Sequence, residues 1–179
     1  LSSNLIVLLS NNARVKRVVA INPYDYGKGL GITRGNFVAW LIVTLARIPV
    51  LGETVMRFRN RLVETIILQG GVSHPGALTP GFLGQVWDSG VRKGHYRGFI
   101  NLLRNAWKWE AARQAYGRIK VPVLLVYGDR DWSREDERQR TLAEISAAKM
   151  ETVKDGGHFL ALDQPTEVIR LIRRHASAV

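Results

Sequence analysis

The chain has 179 residues, of which 46% are apolar, with 26 Lys plus Arg against 15 Asp plus Glu and no Cys. That composition suits a folded globular domain and excludes a disordered, collagen-like, disulfide-stapled or zinc-thiolate protein. The formal net charge of +11 asks for an anionic partner, ligand or surface.

In chain order, residues 3 to 13 read as the end of a helix, with Leu5, Leu8 and Leu9 on one stripe. No secretory signal is read there, because a basic leader and a small-residue cleavage site are missing, so the expected compartment is cytoplasmic. The chain opens on Leu1 without an initiator Met and is expected to be a piece of a longer protein. Val15 to Asn22 (VKRVVAIN) is a short β-branched run stopped by Asn22-Pro23, the pattern of a buried strand. Phe37 to Ala46 then reads as an apolar helix, too short for a bilayer, which needs about 20 residues. Pro49 breaks it. Glu53 to Leu68 is amphipathic, Gly70 to Gly84 is loop-rich with Pro75 and Pro80, and Gly98 to Tyr116 is helical and carries Trp107 and Trp109.

Pro122 to Tyr127 (PVLLVY) is a second continuous apolar run, ended by Gly128. Its lack of alternation suits a strand covered on both faces, as in a parallel sheet. Arg134 to Ile145 reads as a polar amphipathic helix, and Lys149 to Lys154 alternates weakly, like an edge strand. Gly156-Gly157 forms a turn, and Pro165 opens a last helix with Val168, Ile169, Leu171 and Ile172 as its buried side. Strands and helices therefore alternate in both flanks, which is an α/β pattern with parallel strands.

Charge is unevenly spread. Thirteen of the basic residues but four of the acids fall between residues 27 and 118, which also hold four of the five Trp, including Trp40. Basic residues interleaved with aromatics suit an anionic membrane or ligand, or simply a solvated face whose Arg stems cover apolar surface. Nucleic acid is not expected, since the basic residues are dispersed and no recognition motif is present.

Two stretches carry chemistry. In VPVLLVYGDRD, an apolar strand runs into a tight turn that ends on Asp131. In DGGHFLALDQP, a glycine turn places His158 just before a helix, about 27 residues further on. Both lie beyond the carboxyl ends of strands, where open α/β sheets build their sites. A carboxylate held against one imidazole nitrogen fixes the tautomer and leaves the other nitrogen as base. Asp25 is the alternative acid, and Asp129 reads rather as a turn former. Trp132 and Phe159 adjoin the pair and could wall a pocket, as could Trp40 within the stripe Phe37, Trp40, Leu41 and Leu45. His74, His95 and His175 read as surface or loop residues, and none has the spacing of a metal site.

With those stretches in view, the sequence resembles the carboxy-terminal half of the α/β-hydrolase fold family, over VKRVVAINPYDY, VPVLLVYGDRD and GGHFLALDQPTEVIRLI. The resemblance implies a partial α/β core at residues 1–26 and 119–179 and an inserted helical cap at 27–118. It implies Asp131 as the acid and His158 as the base of a triad in the order nucleophile, acid, base. No G-x-S-x-G elbow is present, so the resemblance puts the nucleophile and the oxyanion donors upstream of Leu1, in an amino-terminal half of the same protein. A capped hydrolase of this kind runs to roughly 250 to 300 residues. The function it implies is hydrolysis of an ester or related apolar small molecule, without metal or other cofactor. With an Asp nucleophile instead of Ser, the same acid and base would serve an epoxide hydrolase or dehalogenase. A non-catalytic ligand- or partner-binding module is the reading from another class, and transient contact of the basic segment with an anionic membrane is a third.

Overall fold

A computed structural model describes Val7 and residues 12–177; the helix expected over residues 3 to 13 lies largely outside them. Three strands form one parallel sheet: β1 (Val18–Ile21), β2 (Val123–Gly128) and β3 (Ala148–Val153), in that spatial order. Val18 stands beside Val123, and Val123 beside Ala148, so all three carboxyl ends emerge at one edge of the sheet.

β2 is central and buried throughout, and its side chains alternate between two cores. Val123, Leu125 and Tyr127 pack with Val18, Ala20, Tyr116, Ile119 and Ile145 on one face. Leu124 and Val126 pack with Val153, Leu160, Val168 and Leu171 on the other. An unbroken apolar run is what a strand with no solvent face requires. The first face is covered by the 3₁₀ turn Ala112–Arg118 and by the helix Glu135–Glu144, the second by the helices Leu160–Asp163 and Pro165–Ser177.

Between β1 and β2 the chain makes six α-helices: α1 (Phe37–Arg47), α2 (Leu51–Arg57), α3 (Arg61–Gln69), α4 (Pro80–Gly90), α5 (His95–Arg104) and α6 (Trp107–Ala111). After β2 come α7 (Glu135–Glu144), α8 (Leu160–Asp163) and α9 (Pro165–Ser177).

Several boundaries depart from the sequence reading, each for a local reason. The single amphipathic helix expected over Glu53 to Leu68 is split at Phe58–Asn60, because the Asn60 side chain caps a new helix by accepting from Val63 N at 2.9 Å. Pro80 lies not in a loop but at the first position of α4, where its missing N–H costs nothing, and Thr79 Oγ1 accepts from Phe82 N at 3.2 Å. On α9, Val168 and Leu171 are buried, whereas Ile169 and Ile172 are 49% and 40% exposed. Successive helical residues turn by about 100°, and the Val168–Leu171 line alone meets the sheet.

Candidate active site

The site is assembled where the three strands end. β2 stops at Gly128 and delivers Asp131 three residues later; β3 stops at Val153 and delivers His158 after the turn. His158 Nδ1 lies 2.6 Å from Asp131 Oδ1. The Asp131 side chain has no exposure and that of His158 only 14%. Burial pushes the Asp131 carboxyl up, but hydrogen bonds and charge from His158 and two hydrogen bonds from Ser133 outweigh it and leave it below the ordinary carboxylate range. An ionised carboxylate only accepts, so Nδ1 carries a proton, and the neutral form of the ring has its lone pair on Nε2.

Asp131 Oδ2 has its own partners. Ser133 N donates to it at 2.9 Å, the Ser133 hydroxyl also donates, and Tyr26 OH stands 3.4 Å away. Arg138 Nε in turn donates to Ser133 Oγ at 2.8 Å. The acid is thus fixed from both oxygens.

The imidazole is held by aromatic contact as well. Trp132 stacks on it at 4.0 Å between centroids with a 13° interplanar angle, and Tyr24 meets it edge-on at 5.2 Å. Phe159 packs edge-on to both His158 and Trp132. The indole of Trp132 is anchored by donating to Gly70 O at 2.6 Å. Trp132 and Phe159 therefore wall the histidine itself. Trp40 does not: it sits on the outer side of α1, 48% exposed and stacked on Phe37, because α1 turns Ile42, Val43 and Ala46 inward.

Asp25, the alternative acid, is buried elsewhere. Its Oδ2 accepts from Tyr116 OH at 2.7 Å and from Thr141 Oγ1 at 3.0 Å. Burial raises its pKa, although those two bonds and the charge of Arg113 oppose the rise. Asp129 clamps the turn, with Oδ1 accepting from Gly156 N at 3.1 Å. His74 and His95 are exposed, and His175 is half-buried on α9. Among the described residues no cluster of three His, Cys, Asp or Glu is placed to hold a metal ion.

Two positioning residues carried no assigned role in the sequence reading. Asn22 takes a left-handed backbone, φ 42°, directly after β1. Its Nδ2 donates to Gly157 O at 2.9 Å and His158 O at 2.7 Å, while its Oδ1 accepts from Gly128 N at 3.0 Å. One buried amide thus ties all three strand ends together. Asp163 accepts from Gly157 N at 2.8 Å, from Ser73 N at 2.9 Å and from His74 N at 3.1 Å. It fastens the histidine loop to the loop after α3. The signals were in the sequence as Asn22 before Pro23 and Asp163 five residues after His158, but apart from Gly157, six residues from Asp163, their partners lie about 90 or more residues away.

The paired glycines act through space rather than through unusual dihedrals. Positive φ falls on Asp155, at 54°, and not on Gly156 or Gly157. A Cβ at Gly157 would stand 2.6 Å from Gly71 O, and one at Gly156 would stand 2.2 Å from a Leu160 methyl. Phe159 N donates to Gly71 O at 2.7 Å through this close approach. The helical segment is also pinned from its first turns. Arg34 makes a bidentate pair with Glu137 at 2.7 and 2.9 Å and donates to Trp132 O at 2.9 Å.

A cavity of about 490 Å³ opens within the helical segment, lined by α1 to α5 and their connections. Asp131, Trp132, His158 and Phe159 are not among its walls.

Comparison with known proteins bears on the fold. The model of the alpha/beta hydrolase family matches residues 4–171. The chain belongs to that family. Among solved structures, Cfl2 of Burkholderia cenocepacia superposes with a TM-score of 0.70 at 19% identity, over 89% of this chain and 56% of that one. A meta-cleavage product hydrolase of Pseudomonas fluorescens gives 0.69 at 13% identity, over 97% and 61%. An enol-lactonase of Burkholderia xenovorans gives 0.64 at 15%, over 97% and 61%. At such identities the likeness shows the fold, and the three strands with their flanking helices are part of an α/β-hydrolase core. The chain spans between 56% and 61% of the length of these three structures.

Proposed function

We propose that this chain supplies the acid and the base of a hydrolase, with His158 as general base and Asp131 as its orienting acid. The observation that carries the reading is the 2.6 Å contact between His158 Nδ1 and a fully buried, ionised Asp131. In hydrolysis of an ester, Nε2 takes the proton of a nucleophilic hydroxyl as its oxygen adds to the substrate carbonyl. The resulting imidazolium gives that proton to the leaving alkoxide, and a water molecule then repeats the cycle on the acyl intermediate. Asp131 stabilises the imidazolium without becoming protonated.

The nucleophile and the oxyanion donors belong, in this reading, to a part of the α/β core outside this chain. Of the described serines, Ser133 bonds the pair from the Asp131 side and serves the acid. The family resemblance and the fraction of the neighbours' length that is spanned support an additional half of the core. The helical segment serves as a cap, and the substrate is an ester or related apolar molecule. The test is turnover of a p-nitrophenyl ester by the complete protein. Asp131→Asn, which favours the wrong tautomer, should lower kcat by roughly 10⁴-fold, and His158→Ala, which removes the base, by roughly 10⁴-fold or more. Activity within tenfold of the parent in either variant would overturn the assignment.

A specific observation also favours transient contact with an anionic membrane. At the turn between α2 and α3, Phe58 and Leu62 are 78% and 68% exposed, flanked by exposed Arg57 and Arg61. Aromatic and aliphatic tips beside arginines suit an anionic interface, each basic residue near it adding about 1 kcal/mol. No described helix is long and apolar enough to cross a membrane. Co-sedimentation with phosphatidylserine vesicles at low salt, abolished at high salt and in Phe58→Ser/Leu62→Ser, is the expected result; no binding at low salt removes this reading.

A further inference from the structure

Behind the acid, on the inner side of α7, lies a buried guanidinium. Arg138 is only 5% exposed, and burying such a charge is costly unless an anion meets it. Among the described residues Arg138 forms no ion pair of its own. Its Nε donates to Ser133 Oγ at 2.8 Å, its Nη2 donates to Ser133 O at 3.1 Å, and the group lies 5.2 Å from the centroid of the Tyr127 ring. The carboxylate it does reach is Asp131, one hydroxyl away.

Donor chemistry sets the direction of each bond. Arginine only donates, so Ser133 Oγ accepts from Nε, and its single hydrogen is left for Asp131 Oδ2, which only accepts when ionised. Ser133 N donates to the same oxygen at 2.9 Å. With Oδ2 occupied in this way, Oδ1 is the oxygen that faces His158 Nδ1. Both Ser133 bonds favour the ionised carboxyl and help to lower its pKa.

The other ionisable groups around the carboxylate leave the Arg138 charge unanswered. Tyr24 and Tyr26 face it from the loop after β1 and Tyr127 from β2; burial pushes all three phenols up, so they stay neutral. Arg34, from the 3₁₀ turn Gly31–Arg34, is taken up by its bidentate pair with Glu137 of α7. Arg134 is exposed where α7 begins, with Glu135, Asp136 and Glu137 in the same turn. When His158 is the free base, Arg138 is therefore the cation that balances Asp131.

We propose that Arg138 is a positioning residue for the acid: acting through the Ser133 hydroxyl, it turns Asp131 Oδ1 toward His158 and supplies the buried positive charge that keeps the carboxylate ionised. The catalytic consequence rests on the acid–base reading above, whereas the hold on Asp131 is measurable without turnover.

Carboxyl ¹³C NMR of the complete protein follows the carboxylate directly, with the Asp131 resonance identified by its loss in Asp131→Asn. In Arg138→Met, which keeps the stem and removes the charge, the Asp131 titration midpoint should rise by about one pH unit. Ser133→Ala removes the relaying hydroxyl and should raise it by about half a unit. Arg138→Lys restores charge and donor and should bring the midpoint back most of the way. In p-nitrophenyl ester hydrolysis, Arg138→Met should lower kcat roughly tenfold and leave KM within about twofold, because no contact with substrate is lost. The acid limb of kcat/KM, where the Asp131–His158 pair takes up a proton, should move to higher pH. The double variant Arg138→Met/Ser133→Ala should fall no further in kcat than about threefold below the worse single one, as groups acting in series do.

A folded Arg138→Met whose Asp131 midpoint stays within about 0.2 unit of the parent's would make Arg138 a packing residue of α7 and overturn the proposal. Midpoints that shift as stated in a protein without His158-dependent turnover would remove the hydrolytic reading and leave the hold on Asp131 standing. Should Arg138→Met fail to fold, Ser133→Ala and Arg138→Lys decide: an unchanged midpoint in Ser133→Ala overturns the relay.

Discussion

The corner where the strands end and the helical segment above it are held together differently. The first relies on a mesh of long-range side-chain bonds, the second mainly on helix caps, with Arg104 on Glu53, Arg47 O and Ile48 O and Asn36 on Ile66 O as its longer ties. In the corner, side-chain hydrogen bonds link residues far apart in the chain: Asn22 reaches Gly157 and His158, Asp131 reaches His158, and Asp163 reaches Ser73. The sheet beneath is filled on both faces. In the helical segment the capping bonds are local, as with Asn36 on Ala39, Asn60 on Val63 and Thr79 on Phe82. Its core cluster comprises only Val43, Ala46 and Leu103 as buried members, and a cavity remains beside them. A network of long-range polar bonds over a packed sheet fixes geometry, which acid–base chemistry needs. Amphipathic helices around a void leave room for a ligand at the cost of exposed apolar surface, such as Phe37, Phe58 and Leu62.

If that contrast is right, substitutions in the corner cost far more than substitutions on the outer helical surface. Asn22→Ala should have the largest effect, because it leaves the buried Gly128 N–H and the Gly157 carbonyl without their partner. At about 1 to 3 kcal/mol for each such group, a loss of about 3 kcal/mol is expected in urea unfolding. A loss below 1 kcal/mol would show that the strand ends do not depend on this amide. Asp163→Ala comes next, at about 2 kcal/mol, and amide exchange should accelerate together at Ser73, His74 and Gly157. Exchange confined to one of the two loops would break the link drawn between them.

The two buried aspartates sharpen the comparison through pH. The Asp25 pKa is raised by burial, so the folded state holds its proton more tightly, and stability declines as pH rises from the ordinary Asp value of 3.8 through the raised folded value. Asp25→Asn should flatten that slope and retain the fold. The Asp131 pKa is lowered, because its hydrogen bonds and the His158 charge outweigh burial. Its contribution is present above the ordinary value and lost as pH falls through the depressed one. Asp131→Asn should therefore change the acid limb alone, and unfolding curves across a pH series separate the two. The smallest effect belongs to Trp40→Ala. With the ring half exposed on the outer side of α1, a change within about 0.5 kcal/mol is expected, and a larger one would place Trp40 in the packing after all.

Much of the corner is legible in the sequence because strands that are buried on both faces and loops that carry Gly, Asp and His have local signatures. Val123 to Gly128 had to be a central strand, since no periodicity in it offers a solvent face. Asp131 and His158 could be singled out by their places just after strands. The helical segment was less legible. Its breaks depend on single caps, Asn60 and Thr79, that compete with an otherwise continuous amphipathic pattern. Trp40 shares the apolar stripe of α1 and still faces outward, because composition does not say which arc of a helix finds a neighbour.

The sequence by itself determined the parallel α/β character and the places of Asp131 and His158 just after strands, both of which follow from local pattern and chain order. Only the tertiary structure decided that Asp131 rather than Asp25 meets His158 and that Asn22 and Asp163 lock the loops. Each of those depends on which backbone groups remain unsatisfied once distant segments are packed, and a linear pattern does not contain that information.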